Sequence, residues 1–340
     1  MRLPPPSFDH ILAISDRIGT FEHADHTERR VEHGYCTDDM ARLLVVLTRE
    51  PDPAPALLDL ARRTFRFVAA AQAVTGAVRN RRAADGRWED RHAVEDCWGR
   101  SLWAFGTAAG RAPEPWLRQA GLACFERGTQ QRSPWPRAAA FAALGAAEVL
   151  AVHPHHAAAR AVLADAAVTI GRPAADPAWP WPEPRLTYAN AVLPEALLAT
   201  GAALGRPDVV DDGRMLLRWL LERETLDGHL SPTPAGGAGR DDALGRFDQQ
   251  PIEVAAMADA CARAAEVTGD SSWLDGVDLA ARWFAGDNDT GSTMWDPATG
   301  GGYDGLHARG PNRNQGAEST LALLSTLQHA RTRALASTSV

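Results

Sequence analysis

Ala, Leu and Val return at three- and four-residue spacing along most of the chain, and strictly alternating runs are almost absent. This periodicity predicts helices over 7–19, 38–49, 56–73, 96–109, 114–127, 135–151, 156–169, 189–204, 207–222, 250–267, 271–284 and 315–333. The helices form six pairs if the first closes against the last. The pairs drift in sequence and length, so the repeat is imperfect, with a period of roughly 40 to 65 residues rather than a solenoid consensus.

Connection lengths alternate. Short links at 50–55, 111–113, 153–156, 206–208 and 269–271 suit helical hairpins with antiparallel neighbours. Long links at 20–37, 74–95, 170–188, 223–249 and 285–314 precede most of the helices assigned to an inner ring. Loops that long in a compact domain are usually functional. The link at 128–134 is short and breaks the pattern once. The inner candidates, such as AAAFAALGAAEVLA (138–151) and EVAAMADACARAAEV (253–267), are rich in small residues all round, as expected when both faces are packed. The outer candidates, RQAGLACFERG (118–128) and DGRMLLRWLLERE (212–224), are more amphipathic. A closed (α/α)6 barrel is expected over an open superhelical stack, as one catalytic domain spanning 1–340.

At six places a loop dense in acids, amides and aromatics runs into an inner helix: GYCTDDMARLL (34–44), HAVEDCWGRSLWAFG (92–106), SPWPRAAAFAALG (133–145), RLTYANAVLPEALL (185–198), FDQQPIEVAAMA (247–258) and NRNQGAESTLALL (312–324). In a ring of parallel inner helices these junctions meet at one end. There they form a carboxylate-lined pocket with aromatic walls, which suits a carbohydrate.

Each junction also has a structural reading. In the first, Thr37 or Asp38 can cap the helix. The adjacent Asp39 is less easily explained that way, and two carboxyls in one pocket raise one pKa, as an acid/base pair requires. Tyr35 and His33 stand beside this motif, whereas His23 and His26 are set apart from it. In the second, Glu95 or Asp96 can reach the pocket, with Trp98 as a sugar-stacking platform and Arg100 orienting a carboxylate. The same acids can instead cap the helix and pair with Arg100. In the fifth, Pro251 and Glu253 fit a helix start on their own, but Asp248 with Gln249 and Gln250 offers an acceptor and two amides for sugar hydroxyls. The glycine-rich loop 299–319 contributes Tyr303, Asp304, Asn314, Gln315 and Glu318, and the loop 177–196 contributes Trp181, Tyr188 and Asn190 as wall and neighbours. Asp38, Asp39, Asp96 and Asp248 are the leading catalytic candidates, with Glu95 and Glu253 in reserve.

Composition narrows the chemistry. A chain of 340 residues, 45% hydrophobic, can bury a large core, and its net charge of −8 with no basic run gives no reason to expect nucleic acid. The four scattered cysteines read as reduced, buried thiols. No metal or cofactor is expected. The histidines HPHH (153–156) sit in a short link on the opposite side, and GDNDTGSTMWD (286–296) lacks the closing Glu of a calcium loop. No apolar run approaches a bilayer span, and MRLPPPSFDH lacks the order of a secretory signal, so a soluble cytoplasmic protein without membrane contact is expected.

The ordered set GYCTDD, EDCWGR, LTYANAVLPEA, FDQQPIE, GGYDGL and NQGAEST resembles a family of bacterial helical-barrel domains fused to, or annotated beside, retaining-type glycosyltransferases. These are similar in turn to six-hairpin glycosidases, over roughly 8–330 of this chain. The resemblance implies a pocket at the N-terminal ends of the inner helices, carboxylate catalysis and functional association with a glycosyltransferase. The Asp38–Asp39 pair also resembles bacterial α-mannanases of that architecture, which implies a mannose-containing substrate. The leading expectation is a glycoside hydrolase acting on an oligosaccharide. The rivals are a sugar 2-epimerase or isomerase, with proton carriers to be sought among His33, His92, His229 and His307, and a noncatalytic glycan-binding domain.

Overall fold

A computed structural model describes residues 4–242 and 246–338. Its twelve helices are α1 (Asp9–Ala13), α2 (Thr37–Arg49), α3 (Pro55–Ala71), α4 (Asp96–Arg111), α5 (Pro115–Gly128), α6 (Pro136–Val152), α7 (Ala157–Ile170), α8 (Val192–Leu204), α9 (Pro207–Arg223), α10 (Pro251–Thr268), α11 (Leu274–Phe284) and α12 (Ala317–Thr338). Five of them start on proline, whose missing N–H costs nothing at a helix start. The periodicity placed all twelve, but α1 is much shorter than 7–19. The carboxylate of Asp16 takes the backbone amides of Ile18 (2.8 Å) and Gly19 (3.1 Å), and Ser15 bonds Thr20 at 2.6 Å, so the chain turns there.

α2, α4, α6, α8, α10 and α12 pack in that order, and α12 returns to α2, which closes the inner ring. α3, α5, α7, α9 and α11 lie outside it, and the short α1 leans on α12. This is the (α/α)6 barrel. Nearly every residue of α6 is buried, as expected from its all-round small composition, and nearly every residue of α4 is buried too. Their backbones touch: a Cβ on Gly99 would strike the Ala138 carbonyl, and one on Gly145 the Leu102 carbonyl. The four cysteines are buried and free. Among the described residues, no helix is long and apolar enough to cross a membrane.

The long loops gather at the N-terminal end of the inner ring and are stitched into a collar by two-residue strand pairs. Tyr35–Cys36 pairs with Arg81–Arg82, Arg185–Leu186 pairs with Ala238–Gly239, and Gln249 bridges to Leu306. Each stitch joins two different long loops, so residues remote in sequence are fixed at one mouth.

Candidate active site

Three contiguous hollows occupy this end. A polar cup of ≈ 800 Å³ is lined by Glu22, His23, Asp38, Asp39, Arg42, Asn80, Gln250, Asp304 and Glu318. A side lobe of ≈ 920 Å³ shares Asp38 and Asn80 with it and adds Glu95, Asp96, Trp135, Arg137, Glu183 and Tyr188. Below the cup, a narrow, largely apolar shaft runs along the barrel axis past Arg42, Arg100 and Glu318 to Glu195 and Asp259. All six junctions therefore contribute, through Asp38, Asp96, Arg137, Tyr188, Gln250 and Glu318.

Asp38 is the residue common to cup and lobe. It lies in the first turn of α2, its side chain 18% exposed, and its Oδ2 accepts from Asn80 Nδ2 at 3.1 Å. Oδ1 has no hydrogen bond, and Arg100 Nε stands 3.6 Å away. Burial pushes the Asp38 carboxyl up, against the pull of the Arg100 and Arg42 guanidiniums. Asp39 is buried beside Arg42 at 3.1 Å, and burial raises it to about 7. Across the seam, Glu318 is in the first turn of α12 and meets Arg42 at 2.7 Å. Burial works against its charge, but Arg42 and Arg100 outweigh that and hold its carboxyl below the usual range. One cup thus contains a carboxyl that favours its proton and one that favours its charge.

Arg100 is buried over the Phe141 ring at 4.2 Å and also stands 4.0 Å from Asp96, so a single guanidinium faces both Asp38 and Asp96. Asp96 Oδ2 accepts from the Tyr188 hydroxyl at 2.6 Å. Glu95 lines the lobe as an exposed residue.

The structure places the other candidates as follows. Trp98 is buried and donates Nε1–H to the Gly128 carbonyl at 3.1 Å, pointing away from the pocket toward α5. Trp181 is buried against Trp219 of α9, so neither ring is a sugar platform. Tyr35 is buried and donates to Asp16 at 2.9 Å. Gln249 has no exposure; its amide is spent on Asp289 (2.5 Å), the Arg246 carbonyl (2.7 Å) and the Trp283 indole (2.9 Å). Glu253 is buried and braces the fourth junction, accepting from the backbone N–H of Ala189 and Asn190, and burial raises it to about 7. Asn190 accepts from Arg137 at 3.0 Å. Gln315 bonds Thr299 at 2.6 Å, Asn314 accepts from the His26 amide at 3.0 Å, and Tyr303 lines none of the three hollows. Asp248 is on the exposed rim and bonds His307 at 2.5 Å. Asp304 lines the cup, but its carboxylate is held by the Gly316 amide (2.8 Å) and Ser319 Oγ (2.7 Å).

The histidine of the cup is His23, not His33, which is exposed and touches His23 at 3.0 Å. Sequence reasoning also missed Glu22, Asn80, Arg42 and Trp135. Arg42 carried a signal, lying one helical turn beyond Asp38. Ligand atoms of Glu22, Cys36 and Asp39 lie within 4.8 Å of one another. That donor set does not suit a metal, because Glu22 pairs with Arg81, Asp39 pairs with Arg42, and burial keeps the Cys36 thiol protonated.

No family model and no curated protein matches this chain. Solved structures do. A sugar epimerase from a ruminal bacterium superposes with TM-score 0.70 at 10% identity, over 94% of this chain and 95% of its own. The cellobiose 2-epimerase of Spirochaeta thermophila DSM 6192 gives 0.69 at 13%, over 96% and 95%. A GH family 9 endoglucanase, J30, gives 0.61 at 13%, over 91% and 73%. At these identities the likeness shows the fold alone: a six-hairpin (α/α)6 barrel.

Proposed function

We propose that this chain is a single-domain carbohydrate-active enzyme over 1–340 that hydrolyses a glycosidic bond in an oligosaccharide. The observation that carries this reading is that Asp38, with an unpartnered Oδ1, and Glu318, paired with Arg42, line one cup; burial raises the first carboxyl while Arg42 and Arg100 lower the second. Two carboxyls driven apart in pKa divide into acid and base. Asp38 gives its proton to the departing oxygen as the anomeric C–O bond breaks. Glu318 takes a proton from the attacking water, whose oxygen bonds the anomeric carbon, or attacks that carbon directly. Arg42 holds Glu318 in its ionised form, and Arg100 spaces Asp38 from Asp96. Asp96, polarised by the Tyr188 hydroxyl, is the second candidate base. No cofactor is required.

The second reading is epimerisation or isomerisation, favoured by the barrel's likeness to two sugar epimerases and by the presence of His23 in the cup. That reaction removes a proton beside a carbonyl and returns it to the other face. Incubating the protein in D2O with manno- and gluco-oligosaccharides, followed by NMR, separates the readings. Hydrolysis yields a new reducing end with no deuterium at C2. Deuterium at C2 with every glycosidic bond intact overturns hydrolysis in favour of epimerisation. Binding with neither change supports a noncatalytic domain that assists a glycosyltransferase.

A further inference from the structure

Five long loops wall the mouth of the barrel, but α6 is reached from α5 by residues 129–135 alone. The collar is therefore low at one point, and the side lobe lies there. Trp135, directly before α6, is 58% exposed and is the most exposed of the eleven tryptophans. An indole left in water at a fold's surface gains nothing for folding, and large exposed aromatics mark contact sites. The backbone that carries it is restrained. Pro134 and Pro136 flank it, and its amide donates to Ser133 Oγ at 3.2 Å. The opposite wall is Tyr188, 42% exposed, with Arg137 stacked on its ring at 5.0 Å. Arg137 pairs with Glu183 at 2.8 Å, and exposed Glu95 completes a polar rim. The lobe opens into the cup at Asp38, which lines both.

Resting on the saccharide reading of the cup, we propose that this gap is a second sugar subsite. An oligosaccharide runs out of the cup across the start of α6, with one pyranose face stacked on Trp135 and its hydroxyls on Glu95 and the Glu183–Arg137 pair. The ligand is a chain of at least two rings, one at Asp38 and the next over the indole. The flat indole and the carboxylate–guanidinium rim of Glu95, Glu183 and Arg137 match the two kinds of surface a pyranose presents.

The test is calorimetric titration of Asp38→Asn, in which turnover is expected to be slow, with mannose, glucose and their di- and trisaccharides. Disaccharides are expected to bind more tightly than monosaccharides. Adding Trp135→Ala should weaken disaccharide binding about 3- to 10-fold, the worth of one aromatic stack, and leave monosaccharide binding within about twofold. Trp135→Phe should restore most of the loss. Circular dichroism and thermal melting confirm that both variants are folded. Equal weakening of mono- and disaccharides, or none, overturns the subsite and leaves the cup standing. If no saccharide binds either Asp38→Asn or the unsubstituted protein, the subsite and the saccharide reading fall together.

Discussion

The barrel holds two clusters of buried charge, and they are built differently. Toward the C-terminal end of the inner helices, Asp259 receives Arg49 at 2.7 Å, His329 at 2.6 Å and Ser325 at 3.2 Å. Beside it Glu148 takes Arg111 through two bonds of 2.7 and 3.0 Å, and Glu50 takes Arg331 at 2.7 and 3.0 Å. At the N-terminal end, Asp38 has one amide at 3.1 Å, an idle Oδ1, and a guanidinium no closer than 3.6 Å. Charges that serve only the fold are fully paired, because an unpaired one costs several kcal/mol. Charges left waiting are suited to a ligand or a proton. Glu318 is paired with Arg42, so the idle Asp38 oxygen, not the density of acids, marks the N-terminal end as different.

The contrast is broken most sharply by exchanging roles. Asp38→Asn is expected to lower kcat/KM about 10²- to 10⁴-fold, the worth of a general acid, while urea unfolding shows stability unchanged or slightly raised. Asp259→Asn should do the reverse. It should cost about 3–5 kcal/mol in the same unfolding assay, with kcat/KM per folded molecule kept within about threefold. Loss of activity without loss of stability in Asp259→Asn would erase the distinction.

A pH experiment sharpens it. Burial, with Asp259 and Glu148 against Arg263 and Arg49, raises Glu195 to about 8. A carboxyl raised by folding contributes stability that is complete below its unfolded value, near 4.5, and lost as pH climbs through about 8. Glu195→Gln should therefore melt a few degrees higher than the unsubstituted protein at pH 8, and the gap should close near pH 5 in thermal scans. Asp259 has the opposite sign. Burial opposes its charge, but Arg49 and His329 overcome that and hold its carboxyl low, so its contribution is present at neutral pH and lost only in acid. The smallest effect belongs to the rim. Asp248→Asn removes an exposed bond to His307 and should move stability by no more than about 0.5 kcal/mol and kcat/KM by less than about twofold.

Much of the barrel was legible because a helix writes its packing face into the chain every three or four residues. The same rule extends into the site. Ile252, Ala255, Ala256 and Asp259 of α10 face the axis, as do Glu318, Leu321, Ala322 and Ser325 of α12. In α2 the corresponding face carries Asp38, Arg42 and Val45, so choosing Asp38 already implied Arg42. Trp98 follows Cys97, which lines the lobe, and one residue of helix turns a side chain by about 100°, enough to send the indole under Gly128 instead. Loops carry no such period. Asn80 reaches Asp38 only because Tyr35–Cys36 pairs with Arg81–Arg82, and Trp181 disappears beneath the collar because Trp219 of α9 is there to receive it.

The ring closes where α12 meets α2, and the salt bridge from Arg42 to Glu318 crosses that join. On the proposed roles of Asp38 and Glu318, a nascent chain emerging from the ribosome stays chemically silent until α12 arrives. Cutting it short before Ala317 would then remove Glu318 from the cup while leaving most hairpins formed. Circular permutation through a link far from the join and from the mouth, such as the turn between α6 and α7, would keep Asp38 and Glu318 in one cup and should preserve turnover.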